Sequence, residues 1–308
     1  MEFGIHLPLI GFLGAKYSRS KLVEYTERAR DLGYIAIAAN DHLVFPKPWL
    51  DGPTALASVL HVTGDMQLAT TVSIPVVRNP VTMAKTLSSI DHLSEGKLII
   101  GVGPGSSARD YESVGIPFDE RWKRLDDAVL TMRSLMTADG TDHTGDYYST
   151  VGISLEPLPA QRPAPPIWIG SWGSDVGLKH TARIGDGWLA SAYNTTPEDF
   201  SEGLRKLNTH LSTYGKDPKT FPNGIATMLF HITEDTNEAE RILDEVIRAA
   251  INRPLDELRA RLCVGPASEV REKLAALEAA GAQRVYMWPV VNEMEQIDLF
   301  AEQVMATM

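Results

Sequence analysis

Cysteine occurs once in 308 residues, at Cys263. A single thiol excludes an intramolecular disulfide, and with no base motif beside it the residue reads as a small buried hydrophobe rather than a nucleophile. Long apolar runs are also missing: nothing approaches the roughly 20 residues that a membrane-crossing helix needs, so no span is expected. Positive charge is in deficit, with 29 Lys and Arg against 40 Asp and Glu for a net −11. No basic run of five or more occurs, and this balance opposes association with nucleic-acid phosphates. An anionic cofactor is still permitted, because a helix N-terminus or one Arg holds a phosphate locally. The opening stretch from Met1 to Pro8 lacks a basic leader and carries Glu2 and His6 inside its apolar run. It reads as a first strand rather than a signal peptide, and a cytoplasmic protein is expected.

What is present is a repeating unit: an amphipathic helix, a glycine suited to a helix C-terminus, then a short apolar strand. Leu22, Tyr25, Ala29 and Leu32 recur at helical spacing before Gly33 and the run Tyr34 to Asn40. The same order recurs around Gly185 and Gly281. Alternation of this kind predicts a parallel sheet covered by helices. Eight strands are expected, at 3–8, 34–40, 66–72, 97–103, 167–171, 187–191, 225–232 and 284–289. That number fits a closed (β/α)8 TIM barrel better than an open doubly wound sheet, and about 250 residues suffice for one such domain. The chain is therefore expected to be a single α/β barrel domain over 1–308. Two stretches break the rhythm, a proline-rich one at about 138–165 and a shorter one at about 252–265. Both are expected to lie as insertions over the C-terminal mouth, since proline continues neither a helix nor a central strand.

Strand C-termini carry the chemistry of barrel enzymes, and this rule selects His6, the Asn40-Asp41-His42 turn, Thr71 to Ile74, Gly103 to Ser107, Gly170 to Gly173, Ser191 to Asn194, and Met287 with Trp288. Asp41 and His42 place a titratable pair at the mouth, where an imidazole exchanges protons near neutral pH. The bland alternative is a helix cap beside a surface histidine. No His-x-His follows the first strand, which argues against a metal hydrolase and leaves no metal ligands to name. Gly-x-Ser-x-Gly is absent. The Gly101-Val-Gly103-Pro-Gly105 loop fails the dinucleotide fingerprint, because Ser106 stands where the third glycine belongs and Pro104 has no N–H. In a barrel those glycines would let a planar cofactor approach the backbone. Gly170-Ser-Trp-Gly173 with Ser174 forms a candidate phosphate cradle at a helix start, and Arg78 is either a second anion contact or a surface cap.

Taken together, Asp41-His42, Val76 to Pro80, Leu87 to Ser94, Gly96 to Gly103, Arg121 with Leu125-Asp126, Pro157-x-Pro-x-Gln161, Ile169 to Ser171 and Gly185 to Trp188 resemble the bacterial luciferase-like family of flavin and deazaflavin oxidoreductases. The resemblance implies a (β/α)8 barrel, an oxidoreductase or monooxygenase activity, a homodimer, and reduced coenzyme F420 or, alternatively, FMN as cofactor. A non-catalytic flavin-binding barrel is the other reading. The resemblance further implies that Thr71, Val72 and Ser73 form a bulged third strand behind the ring, with a cis peptide at Thr71-Val72. Gly103, Gly105, Ser106, Ile169, Gly170, Ser171 and Trp172 would hold the rest of the cofactor, and His42 with Asp41 would serve proton transfer. Ser106 and Ser107 stand where sugar-phosphate dehydrogenases of the deazaflavin branch carry a glutamate, which points away from glucose 6-phosphate. His6, Trp49, Tyr193, Trp288 and Met287 instead suggest a pocket for a small, apolar or aromatic organic substrate.

Overall fold

Short apolar runs bounded by glycine and polar turns become nine parallel strands in the computed structural model, which describes residues 1–14, 17–138 and 140–308. They are β1 (Glu2–His6), β2 (Ala36–Ala39), β3 (Gln67–Ser73), β4 (Leu98–Val102), β5 (Ile167–Gly170), β6 (Gly187–Ser191), β7 (Asn223–Ile232), β8 (Cys263–Gly265) and β9 (Arg284–Pro289). Strands β1 to β7 pair in chain order, β7 pairs with β9, and β9 returns to β1, so eight strands close a barrel. The eight expected strands are those of the ring. The ninth, β8, lies within the stretch read as an excursion and pairs only with the distal end of β7, Phe230 to Ile232.

Two cores hold this ring. Between strands and helices runs a continuous layer that includes Ile5, Leu56, Leu87, Met132, Leu178, Phe200 and Phe300. Inside the ring a smaller cluster sets Ala36, Ala38, Ala69 and Ala226 against Trp168 and Tyr286. The large rings fill the interior only because small residues face them. A Cβ on Gly4 would sit 2.6 Å from Tyr286, and one on Gly187 2.5 Å from Trp168.

Helix ends follow local chemistry. Ser18, Asp51, Ser174 and Thr196 each cap a helix through a side-chain oxygen, replacing a hydrogen bond that the first turn cannot make internally. Gly33 and Gly281 adopt left-handed φ values of 87° and 102° after their helices. Gly185 does not; its φ is −90°. Space selects glycine there, since a Cβ would lie 2.7 Å from Ile169 Cγ1.

The excursions part company. Residues 138–165, of which Asp139 lies outside the described ones, join the C-terminus of helix Arg121–Met136 to the start of β5. This connection leaves and re-enters at the N-terminal face of the barrel. Tyr147 and Tyr148 amides donate to Asp127 at 2.6 and 3.0 Å, and Gln161 Nε2 donates to Asp91 and to the Leu98 carbonyl, both at 2.7 Å. It therefore packs on the outer side of the barrel rather than over the mouth, and none of its described residues lines a mouth cavity. The second excursion does reach the mouth: Asn252 and Arg253 line a cavity there, and Arg261 donates to the Tyr193 carbonyl at 3.2 Å.

Gly101 tests this packing. A Cβ there would fall 2.0 Å from the Thr70 carbonyl oxygen and 2.7 Å from Leu189. Gly101→Ala is expected to lower stability by about 3 kcal/mol or more, because backbone must move to admit it. The urea midpoint measures this; an unchanged midpoint would contradict the interior described above.

Candidate active site

Strand β2 is buried throughout and delivers Asn40, Asp41 and His42 to the C-terminal rim. His42 Nδ1 lies 2.7 Å from Asp110 Oδ2, and Asp110 Oδ1 accepts the Leu43 and Val44 amides at 3.0 and 2.9 Å. The Asp110 side chain is 1% exposed. Burial by itself would raise its pKa, yet the His42 hydrogen bond and the two amides outweigh it and hold the carboxyl below the usual range. A carboxylate on Nδ1 assigns the proton to that nitrogen and leaves Nε2 as the atom available to a ligand. Phe45 and Trp49 pack against the imidazole, with ring centroids 5.0 and 4.8 Å away.

Asp41 has a different fate. Arg78 donates to both of its oxygens, at 2.7 and 2.5 Å, and also binds Asp51. Burial works against the guanidinium's charge, but the two carboxylates prevail and raise its pKa. Asp41 is thus an ion-paired anchor for the rim, which corrects its pairing with His42 in proton transfer. Arg78 is likewise neither a phosphate ligand nor a surface cap.

Two cavities open at the rim, of about 420 and 300 Å³. Asn40, His42, Ser106, Trp172, Tyr193 and Thr227 line both. The inner cavity is bounded by Thr71, Val72, Gly103, Gly105, Gly170 and Ser171, all expected positions, together with Leu189, Ala190 and Ala226. Trp49 and Trp288 line the outer one. Ser73, Ile169 and Met287 are buried and line neither. Nor does His6, which corrects its placement as a substrate contact. It is fully buried, stacked on Trp288 at 4.5 Å with Nε2 3.1 Å from the Thr71 hydroxyl, because the rim begins beyond it at Leu7 and Pro8.

Two irregular strands shape the inner cavity. The register of β3 against β4 shifts between Thr70 and Ser73, and the Thr71–Val72 peptide is cis, the geometry the resemblance places there. Four strands around the ring, β7 shifts against β9 between Ile225 and Met228, with Thr227 at a φ of 60°. The glycines just past β4 and at the end of β5 serve this arrangement in a way the sequence did not suggest. Cβ atoms on Gly103 and Gly170 would lie 2.8 and 3.0 Å from the methyl groups of Val72, so the glycines admit that side chain.

At the other end, Ser171 to Ser174 lead into helix Asp175–Ile184, where Ser174 Oγ accepts the Gly177 amide at 3.2 Å. Arg121 lies beside this end, its guanidinium 4.1 Å over the Phe118 ring. Sequence reasoning missed Asp110, the partner of His42, and Thr227 in the cavity wall. Asp110 sits four residues past Ser106 in a first helical turn, a signal a search for His partners would have found; Thr227 carries no signal, since threonine seldom adopts that φ.

The family model for luciferase-like monooxygenase matches residues 1–284. The chain belongs to that family. Among similar proteins are the F420-dependent hydroxymycolic acid dehydrogenase of Mycobacterium tuberculosis, 26% identical over 94% of this chain and 85% of that one. The F420-dependent glucose-6-phosphate dehydrogenase of Amycolatopsis mediterranei is 27% identical, over 92% and 93%. A solved F420-dependent secondary alcohol dehydrogenase, in complex with an F420-acetone adduct, superposes with a TM-score of 0.87 over 100% of this chain and 99% of that one, at 19% identity. It shares the fold. As a luciferase-like barrel, the chain presents its two cavities at the face where barrel enzymes carry their sites.

His6 gives a pH test of the floor beneath them. Burial lowers its pKa from 6.5 to about 3, while the unfolded chain protonates near the ordinary value. Its contribution is full above pH 6.5 and is lost as pH falls toward about 3, since the unfolded state then binds the extra proton. His6→Gln should narrow the drop in urea midpoint between about pH 7 and about pH 4.5. An equal drop in both proteins would assign the acid sensitivity elsewhere.

Proposed function

We propose that this chain is an oxidoreductase that uses coenzyme F420 to exchange a hydride with a small, largely apolar organic molecule. The observation that carries the reading is the pair of joined cavities with His42 in the wall of both. The names of the relatives at 26% and 27% identity support the choice of F420 over FMN.

The residues present fit such a group. The inner cavity has apolar walls from Val72, Ile74, Leu189 and Ala226, suited to a planar ring. Its one carboxylate, Asp41, has both oxygens engaged by Arg78, which it shares with Asp51 outside the lining. Arg121, Ser171 and Ser174 would bind an anionic tail with the first-turn amides of the following helix. When bound, F420 supplies or accepts the hydride, chemistry that no side chain provides. The protein contributes position and a proton. Asp110 fixes the His42 ring, and Nε2 is the atom that gives or takes a proton at the substrate. Trp49, Trp288 and Tyr193 exclude water and orient the organic partner, and Ser106 with Ser107 offers no carboxylate for a sugar. A homodimer goes with this reading, on the family resemblance alone.

Titration with F420 and then FMN, followed by tryptophan fluorescence, should show F420 binding at least about tenfold tighter. Turnover with enones, aldehydes or nitroaromatics should follow. Tight binding with no turnover of any of them would favour the non-catalytic barrel, and preference for FMN would favour a monooxygenase. His42→Ala should keep F420 affinity within about threefold while turnover falls about 10²- to 10⁴-fold. Asp110→Asn should lose about tenfold or more in turnover by freeing the ring. Unchanged turnover in His42→Ala would remove the proton-transfer role.

A further inference from the structure

We infer that the outer cavity takes an organic molecule bearing a carboxylate, and that Arg253 selects it; as a substrate assignment this rests on the redox reading above, while the binding site itself does not.

Phe12, Phe45, Trp49, Ile251 and Trp288 supply the apolar part of a mixed wall, and no Asp or Glu lines it. Arg253 lines the same cavity, half-buried, with its guanidinium 5.4 Å from the centre of the Trp172 ring. Among the described residues it makes no ion pair, in a chain with 40 acidic residues against 29 basic ones. Its neighbours do: Arg248 pairs with Asp244 at 2.5 Å, Arg259 with Glu240 at 2.7 Å and Arg261 with Glu257 at 2.5 Å.

The backbone explains why Arg253 alone is diverted. Asn252, at a left-handed φ of 47°, ends the helical stretch that begins at Thr236. Pro254 then disfavours helical geometry at residue 253, so the cation leaves the helix and faces the cavity. A guanidinium with one face on an aromatic ring keeps its N–H edge free, and that planar fork matches a carboxylate with two parallel hydrogen bonds. The guanidinium's partial burial strengthens the attraction. A phosphate dianion would call for a second cation, and no Lys or further Arg lines this cavity.

The test is calorimetric titration of the full chain with 3-phenylpropanoate and with its amide, 3-phenylpropanamide, at low salt. Wild type should bind the acid at least about tenfold more tightly than the amide. Arg253→Gln should erase the difference while amide affinity stays within about twofold, and Arg253→Lys should keep part of it as a point charge. Equal affinities in wild type, no binding of either compound, or a preference that survives Arg253→Gln would overturn the proposal. Circular dichroism of each variant verifies the fold, and the side chain's partial exposure makes misfolding a minor concern. Binding of F420 is measured separately by its own absorbance: acid preference without F420 binding would sink the redox reading and leave this site standing, and F420 binding without acid preference would do the reverse.

Discussion

Closure of the parallel ring through β9, which pairs with β1 on one side and β7 on the other, is the constraint from which the site follows. Once the ring shuts, every strand ends on one rim, and residues hundreds of positions apart face a common space. The interior is then partitioned by volume. Trp168 and Tyr286, set against Gly4, Gly187 and four alanines, pack the ring densely. The register shifts in β3 and β7 lie toward the opposite end, beside Thr71 and Thr227, both of which line the inner cavity.

Electrostatics then separates two adjacent residues. Asp41 and His42 are neighbours in the chain, yet Asp41 turns toward Arg78 and is ion-paired, while His42 turns toward Asp110 and leaves its other nitrogen free of that pair. The rim thus carries a rigid ion pair beside a group able to exchange a proton. Arg78 joins Asp41 on the β2 turn to Asp51 at the next helix start, so the same cation braces the loop on which His42 stands.

Most of the fold was legible in the residues because helix and strand periods differ and the strands are short apolar runs with clear boundaries. The three-residue β8 was not, since Cys263 to Gly265 is too short to show a period. Prolines at 157, 159, 163, 165 and 166 marked an irregular segment correctly but said nothing about which face it covers; that depends on its joining a helix end to a strand start. Strand-end position selected Thr71, Val72, Gly103, Gly170 and Ser171, which line the inner cavity. It overreached at Ile169, where alternation along β5 turns the side chain away from the cavity, at Ser73, which follows the register shift in β3, and at His6, which lies one layer too deep.

By itself the sequence determined the barrel, the rim positions and a histidine at the rim, because all three depend on local pattern and on the direction of parallel strands. The tertiary structure alone decided the partners. Asp110 lies 68 residues from His42 and Arg78 lies 37 from Asp41, and nothing in either interval specifies the pairing. Hydrogen bonds and ion pairs are chosen by distance in space, and that distance exists only after the ring has closed.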